Sequence, residues 1–481
     1  MRNATILGLV ALAGCATAPG YRSSAVTIPP AFQAMPDTGS AAAFVAPRAT
    51  APARPEETTA AATAAAVEYW SPIGDTTLLR LIREVASANL DVQAARARVN
   101  AAHSDQTRAA LDLTPTATLS GGYTRQRLSS ATFPGFSGTF PDQNVWSAGL
   151  EPSWDLDVFG QIRHTVQARG AMVGVAEAGL RDVQVILTAE LARAYFELRG
   201  AQEQLEVARR NADNQQRTFE MTQQRLAAGR GSAFDTERAQ AQLSSTLASI
   251  PDREAAVAAA QYRIAVLVGR SPAAVAQELA APVAIPPLPE VTSIGDPNAV
   301  VRNRPDVAAA ERQEAVQRAL VGAAKASYLP RVTIGGSFGY SSSVFNSIGD
   351  QATARYVVGP VITWPALSLG RVKSEVDAAQ AHEADARAQY SQTVLAALAE
   401  VETSLTRYRA ARVRVERLQD ASAASDRAAE IARQRFAEGI TDFLQVLDAE
   451  RTQLDAQDRL AQGRVDAATA YAALYRAVGG Q

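Results

Sequence analysis

The chain has 481 residues, of which 47% are hydrophobic and 20% are charged, and its formal net charge at pH 7 is -2. This balance excludes a chain that is disordered throughout, and it lacks the basic surplus of a nucleic-acid-binding protein. No run of about 20 apolar residues occurs, so no transmembrane helix is predicted. A chain of this kind that spans a membrane has to do so as a β-barrel.

The first 14 residues are predicted to be a signal peptide, because residues 6–13 form an apolar run of signal-peptide length. The run ends in Leu12-Ala13-Gly14-Cys15, which resembles a bacterial lipobox. The resemblance implies that Cys15 is lipidated, and Ala16 after it favours transfer to outer-membrane lipid. The alternative is an ordinary leader with an incidental cysteine. Because Cys15 is the only cysteine, lipidation is favoured, and neither a disulfide framework nor a cysteine metal site is predicted.

The remaining chain is predicted to be a tether followed by two copies of one unit. Residues 15–66 are rich in Ala, Pro and Thr, and their prolines interrupt any helical or strand period, which indicates an extended tether. The first copy covers residues 67–270, a linker covers 271–296, and the second copy covers 297–481. Matching residues of the two copies lie 210 positions apart, in pairs such as Trp154 and Trp364, Gly160 and Gly370, and Gly229 and Gly439.

Each copy contains two segments in which apolar residues alternate with small polar ones. The segments predict strands at about 116–124, 145–156, 332–342 and 355–364. Strands of this length with one apolar face and one face rich in Thr, Ser and Gly are typical of a transmembrane barrel wall, although a soluble β-sandwich gives the same alternation. Aromatic residues lie near the strand ends, as at a membrane interface: Trp146, Trp154, Tyr356 and Trp364.

Each copy continues with a long helix that contains no proline and carries a heptad pattern. In the first copy Leu191, Leu198 and Leu205 recur every seven residues, which predicts coiled-coil packing. Such a helix of almost 70 residues is about 100 Å long. Gly229 and Gly439 are predicted to end the long helices, and a returning helix follows each one. The predicted helices cover residues 161–228 and 371–437, with returning helices at about 233–268 and 441–478.

The four predicted strands of one chain cannot close a barrel, and an open sheet edge is not tolerated in lipid. At least two chains are therefore needed, which together provide eight strands. Small barrels are filled by side chains, so a conducting duct needs more strands. Three chains give twelve strands, but the physical argument sets only the lower bound.

Four motifs connect this pattern to a known family. They are Trp154-Asp155-Leu156-Asp157-Val158-Phe159-Gly160-Gln161-Ile162-Arg163, Arg304-Pro305-Asp306-Val307, Tyr328-Leu329-Pro330 and Val446-Leu447-Asp448-Ala449. They resemble the outer membrane factor family of TolC, and the lipobox makes the chain most similar to the OprM and NodT branch of efflux lipoproteins. The resemblance implies a mainly α fold with a membrane β-barrel portion, in which a homotrimer builds a twelve-stranded barrel on a periplasmic α-barrel.

The same resemblance implies a function in the outer membrane, with the chain extending into the periplasm. The family forms passive channels of tripartite efflux systems, driven by an inner-membrane pump, here of the RND type, through a periplasmic membrane-fusion adaptor. It also implies no cofactor and no catalytic role. A duct for type I protein secretion is an alternative within this class, because the pump decides the cargo and the sequence does not name it.

By resemblance, the segment from Thr441 to Arg451 matches the part of the family that closes the periplasmic end. Leu444 would form an apolar ring, Asp448 an anionic ring one turn later, and Arg451 would tie Asp448 by charge. The alternative makes Asp448 a first-turn carboxylate that the helix dipole favours, with Arg451 as its exposed partner. TolC has Asp and Arg where this chain has Gln445 and Thr441. Fewer ionic contacts are therefore expected to hold the periplasmic end closed.

The hairpin tips are where family adaptors dock. By resemblance the docking residues are Leu226, Gly229, Phe436 and Gly439. The alternative is that the two glycines only end the helices, and both roles are compatible.

Two readings from other classes remain to be compared with the channel. A periplasmic coiled-coil adaptor would need a single helical hairpin with soluble β domains, whereas this chain carries two hairpins. A helical cell-wall enzyme lacks catalytic residues, and its three histidines are widely separated on predicted helices, so no metal site is predicted. These histidines are His103, His164 and His382.

Overall fold

The computed structural model describes residues 28–29, 31–34, 55–129, 138–292 and 294–480. The predicted signal peptide and Cys15 lie outside these residues, as does most of the predicted tether.

The chain divides into two compact units. The described residues of 100–175 and 310–390 belong to one unit, which contains the strands. The other unit comprises the described residues of 25–99, 176–309 and 391–481, and it contains the helical hairpin tips and the main hydrophobic core.

The strand-bearing unit contains one antiparallel sheet in which the strands follow one another in chain order, β1-β2-β3-β4. The two copies meet where β2 pairs with β3, in a register that places Trp154 opposite Ile334. Among the described residues the strands are β1 (Thr116–Gln126), β2 (Gln143–Asp155), β3 (Arg331–Ser342) and β4 (Ala354–Thr363). Each lies within two residues of its expected bounds.

The two copies repeat a side-chain contact at the sheet. The indole Nε1 of Trp154 donates to the carbonyl of Leu113 at 2.9 Å, and that of Trp364 donates to the carbonyl of Tyr328 at 3.0 Å. Each acceptor lies just before the first strand of its own copy, at equivalent places in the duplication. The strand hairpins of both copies are therefore fastened in the same way.

Ten α-helices account for most of the described chain. In chain order they are α1 (Pro55–Trp70), α2 (Thr76–Ala88), α3 (Leu90–Leu111), α4 (Gln161–Ala227), α5 (Ala233–Leu267), α6 (Pro272–Glu278), α7 (Pro297–Asn303), α8 (Pro305–Ala326), α9 (Leu369–Ala437) and α10 (Phe443–Ala477). The long helices α4 and α9 and their returning helices α5 and α10 lie within two residues of the expected bounds. None of the described helices combines the length and the apolar character needed to cross a membrane.

Helix α1 corrects the predicted boundary of the tether, because residues 55–66 are helical and not extended. Proline is accepted in the first turn of a helix, where its missing N–H has no intrahelical partner, so Pro55 begins the helix and does not interrupt it. Glu56 and Glu57 then favour the positive end of the helix dipole, and the following Ala-rich stretch has high helix propensity.

The core of the second unit is centred on Trp70, which is fully buried at the end of α1. Its ring centroid lies 5.3 Å from that of Tyr471 and 5.5 Å from that of Tyr475, both on α10, and 6.1 Å from that of Phe196 on α4. Helices from both copies therefore share one hydrophobic core with the segment that precedes them. This packing holds the end of α1 against the middle of α4 and the C-terminal part of α10.

Candidate functional site

The predicted gate residues share one face of α10. Asp442 caps the start of this helix, since its carboxylate accepts from the backbone N–H of Gln445 at 3.1 Å. Leu444, which is 54% exposed, and Asp448 and Arg451, which are also exposed, lie at positions i, i+4 and i+7 of the helix. A side chain repeats on one face at this spacing. The three residues are thus brought together on a surface that the other described residues leave exposed.

The predicted ion pair between Asp448 and Arg451 does not form within the described chain. The Nε of Arg451 instead donates to the Oε1 of Gln242 on α5, at 2.8 Å. The arginine side chain is long enough to reach the neighbouring helix, and an exposed i,i+3 ion pair stabilises a helix by only about 0.2–0.5 kcal/mol. Within the single chain Arg451 therefore contacts Gln242 and not Asp448, and the pairing of Arg451 with Asp448 at the gate stays a prediction.

Both hairpin tips close in the same way. At the first tip the N–H of Gly229 donates to the carbonyl of Leu226 at 3.0 Å, and at the second the N–H of Gly439 donates to the carbonyl of Phe436 at 3.0 Å. The two glycines have φ values of +64° and +79°, in the left-handed region where a side chain is strained. The prediction that these glycines end the helices is confirmed. Their role in adaptor docking stays a prediction.

The tips differ in what covers them. Leu226 is 38% exposed, whereas the equivalent Phe436 is only 6% exposed. The guanidinium of Arg225 lies 4.2 Å from the centroid of the Phe436 ring, and its Nη2 donates to the carbonyls of Phe436 and, at 3.1 Å, of Ala437. Phe436 is therefore held inside the protomer, and of the two predicted apolar docking residues only Leu226 offers a substantial surface.

A small apolar cluster packs next to the second tip. The ring centroids of Phe436 and Phe443 lie 5.8 Å apart, and Val446 and Leu447 are buried beside them. This cluster packs a different face of α10 from the one that carries Leu444 and Asp448. The start of α10 is consequently anchored on one side and open on the other.

A buried carboxylate lies one turn further along α10. Glu450 is only 3% exposed, and it accepts a hydrogen bond from the Oγ1 of Thr218 on α4 at 3.0 Å. The guanidinium of Arg433 on α9 lies 3.6 Å away, and it also pairs with Glu430 at 3.0 Å. Burial raises the pKa of Glu450, and the hydrogen bond from Thr218 and the charge of Arg433 only partly oppose the effect. Polar and charged side chains, which are more stable in water, thus connect α4, α9 and α10 at this point.

Sequence reasoning assigned no role to Arg225, Arg433 or Glu450. Arg225 stands inside the repeated Gln-Arg motif of the first tip, so the duplication was the signal that could have singled it out. Glu450 lies in a polar stretch of α10, and nothing in the sequence distinguishes it from the exposed residues around it. Among the described residues, no group of three or more His, Cys, Asp or Glu side chains is placed to hold a metal ion.

The chain matches the family model described as "Outer membrane efflux protein" in two segments, residues 81–270 and 297–480. The two matches follow the two copies seen in the sequence and in the fold. Together they cover well over half of the chain.

Individual relatives agree with this match. Nodulation protein T of Rhizobium leguminosarum bv. trifolii is 28% identical, over 86% of this chain and 87% of the relative. The probable outer membrane lipoprotein SilC of Salmonella typhimurium is 27% identical, over 80% and 82% of the two chains. The solved outer-membrane channel OprN superposes with a TM-score of 0.83 at 35% identity, over 97% of this chain and 99% of that one. The resemblance drawn from the motifs is thereby confirmed, and the chain belongs to the outer membrane efflux protein family.

Proposed function

We propose that this efflux protein of the outer membrane is the channel subunit of a tripartite system, and that it passively conducts small molecules such as drugs and toxic compounds out of the cell. The observation that carries the proposal is the four-stranded sheet attached to two long helical hairpins. The sheet is not closed in one chain, because the outer edges of β1 and β4 have no partner strand among the described residues. A duct made from several copies closes the sheet and sets the helical hairpins side by side.

We propose a homotrimer with a twelve-stranded barrel. Support comes from one face of β4, since Tyr356, Val358 and Ile362 lie on the same side of the strand and are 76%, 59% and 69% exposed. Apolar side chains in this number on a strand suit contact with lipid. Joining β4 of one copy to β1 of the next removes every open edge, which lipid requires.

The partners are proposed from the family. A periplasmic membrane-fusion adaptor docks at the tips around Leu226, Gly229, Phe436 and Gly439, and an inner-membrane pump of the RND type supplies the driving force. A lipid on Cys15 anchors the chain, which the relative described as a probable lipoprotein supports. The family is one of transport proteins, and no catalytic step is part of this proposal.

The gate is proposed at the exposed face of α10 that carries Leu444, Asp448 and Arg451. In a trimer, three copies of Asp448 face one axis and repel one another unless cations or arginines neutralise them. Because Arg451 donates to the neutral Gln242 within its own chain, its charge stays near the anionic ring without an ion-pair partner among the described residues. The proposed resting state is therefore a narrow mouth held by electrostatics and by the apolar Leu444 ring.

The test is ion conductance of the purified, lipidated protein in planar bilayers, with wild type measured beside Asp448→Ala. We expect a low conductance for the wild type that rises in the variant. Asp420→Ala is the matched control, since Asp420 is a highly exposed carboxylate on α9 outside the gate segment. It removes the same charge and should leave the conductance unchanged.

The other outcomes separate the pore from the gate. Equal conductance of wild type and Asp448→Ala retains the pore and eliminates the gate at Asp448. An absence of current from all three proteins eliminates the channel and leaves a coiled-coil structural protein.

A further inference from the structure

Each hairpin tip carries an arginine at the same position of the repeat, and only one of the two arginine side chains makes a contact with other described residues of the single chain. The first tip carries Gln224-Arg225-Leu226 and the second carries Gln434-Arg435-Phe436, at equivalent positions 210 residues apart. Arg225 and Arg435 thus have the same place on their helices. Their surroundings in the protomer differ completely.

Arg225 caps the tip of the other copy. It donates to two carbonyls in the last turn of α9, those of Phe436 and Ala437, and its guanidinium covers the Phe436 ring. Carbonyls at a helix C-terminus lack intrahelical donors and carry the negative end of the helix dipole. Arg225 therefore stabilises the end of α9 in two ways, by hydrogen bonds to these carbonyls and by a cation–π contact with the Phe436 ring. The Arg225 side chain therefore connects the first tip to the second tip.

Arg435 has no such partner. Its side chain is exposed and forms no hydrogen bond, ion pair or ring contact within the described part of the chain. The group that it would cap by analogy is the last turn of α4, whose Leu226 and Ala227 carbonyls receive no side-chain donor from the described residues. An unused cation and an uncovered helix end therefore remain, one on each copy.

The returning helices show the same asymmetry over a longer surface. On α10, Leu447, Glu450 and Ala461 are buried. The equivalent residues of α5, which are Glu237, Gln240 and Pro251, are all exposed. The α10 face is covered by α4 of the same chain, as the contact between Thr218 and Glu450 illustrates. The duplicated counterpart of that contact, α9 against α5, is missing from the protomer at these positions.

We propose that a second copy of this chain supplies the missing contact, with Arg435 of one subunit capping α4 of the next. In this arrangement Arg435 donates to the carbonyls of Leu226 and Ala227 of the partner subunit and lies over the partner subunit's Leu226. The contact repeats around a ring because each subunit has one free arginine and one free helix end, which is how head-to-tail interfaces close. This inference rests on the proposed oligomer and adds the residues that join its tips.

A second position along the hairpins supports the same interface. In the chain, the Nε2 of Gln204 on α4 donates to the Oε1 of Gln462 on α10 at 3.4 Å. The equivalent residues, 210 positions away, are Arg414 on α9 and Asp252 on α5. Asp252 is exposed and its carboxylate has no partner among the described residues. Arg414 already pairs with Asp466 on α10 of its own chain at 2.9 Å, so the charge that this position leaves for a group of the next subunit is that of Asp252.

The test compares two double cysteine variants treated with a short bismaleimide cross-linker in native membranes. Arg435→Cys with Leu226→Cys should give covalent dimers and trimers on a denaturing gel. Arg225→Cys with Phe436→Cys is the matched control, because the same reaction there should link two positions of one chain and leave its size unchanged. The wild type, which carries only Cys15, gives the background.

Two measurements make the result decisive. The mass of each detergent-solubilised variant shows whether it forms the oligomer, and mass spectrometry of the cross-linked peptides shows which positions reacted. Covalent multimers linked through positions 435 and 226 support the inference. An intact oligomer with only intrachain products, or with none at 435, overturns it while the proposed function stands. A monomeric wild type overturns both.

Discussion

Glu450 is a carboxylate that the fold buries at a cost. Its hydrogen bond from Thr218 and the guanidinium of Arg433 at 3.6 Å compensate only part of the lost hydration, so its pKa is raised above the ordinary value of 4.5. A carboxyl with a higher pKa in the folded protein binds its proton more tightly there than in the unfolded chain. It therefore lowers the stability as pH rises from 4.5 through the folded pKa.

Replacing this carboxylate is expected to stabilise the protein above that range. Glu450→Gln keeps an oxygen that accepts from Thr218 and removes the buried charge, so the melting temperature in detergent should rise by about 2 °C at pH 8. At pH 4, where the wild-type carboxyl is mostly protonated, the gain should vanish. The measurement is thermal unfolding of both proteins at the two pH values.

Glu430→Gln provides the contrasting control. Glu430 accepts from Arg433 and Gln434, which lower its pKa, and it is largely exposed. Its contribution is present above its unfolded pKa, so its replacement should lower the melting temperature slightly at pH 8 and leave it unchanged at the acid end. A Glu450→Gln variant that loses stability at pH 8 would show that the Arg433 contact outweighs burial.

At the scale of the helix, the pairing of α4 with α10 depends on a close approach at Gly200. A Cβ built there meets the Cγ2 of Val465 at 1.9 Å, far inside van der Waals contact. Valine has few rotamers in a helix, so it cannot move aside cheaply. The glycine is therefore required by the contact between the two copies and not by the helix that contains it.

Gly200→Ala is expected to destabilise the protein by about 1–3 kcal/mol, because overpacking exceeds the gain of about 1 kcal/mol in helix propensity. Gly179→Ala, on the same helix but with nothing within 4 Å of its Cβ, should stabilise by up to about 1 kcal/mol. Chemical denaturation of the two variants in one detergent measures both. Equal effects of the two substitutions would contradict a packing role for Gly200.

At the scale of the whole molecule, the proposed attachment has two parts with different chemistry. The sheet holds the membrane through apolar side chains on its strands, and a lipid on Cys15 holds it through acyl chains. A single acyl chain binds a membrane only marginally, whereas several chains bind firmly. The two attachments can be separated because Cys15 is the only cysteine.

Cys15→Ser is expected to abolish the incorporation of labelled palmitate, measured on the purified protein after growth with the label. The variant should still sediment with membranes after a carbonate wash, since the proposed strands remain inserted. Label retained by the variant would show that Cys15 is not the modified residue. Release of the variant from the membrane would show that the sheet does not hold it.

The extent of the long helices followed from local chemistry and was therefore readable in the sequence. Heptad positions define one continuous helix, and a glycine that accepts a positive φ ends it, as at Gly229 and Gly439. The alternating strands and the duplication were readable for the same reason. The error over residues 55–66 came from treating Pro55 as an interruption when it is the first residue of α1.

The contacts between the two copies were decided only by the tertiary structure. Arg225 reaches Phe436, Arg451 reaches Gln242 instead of Asp448, and Glu450 is buried against Thr218. Each of these depends on which faces of two helices meet, and the partners lie about 210 residues or more apart in the chain. By itself the sequence determined the elements, their order and their family, because those depend on neighbours along the chain. The tertiary structure decided which charges are paired, buried or left exposed, because that depends on neighbours in space.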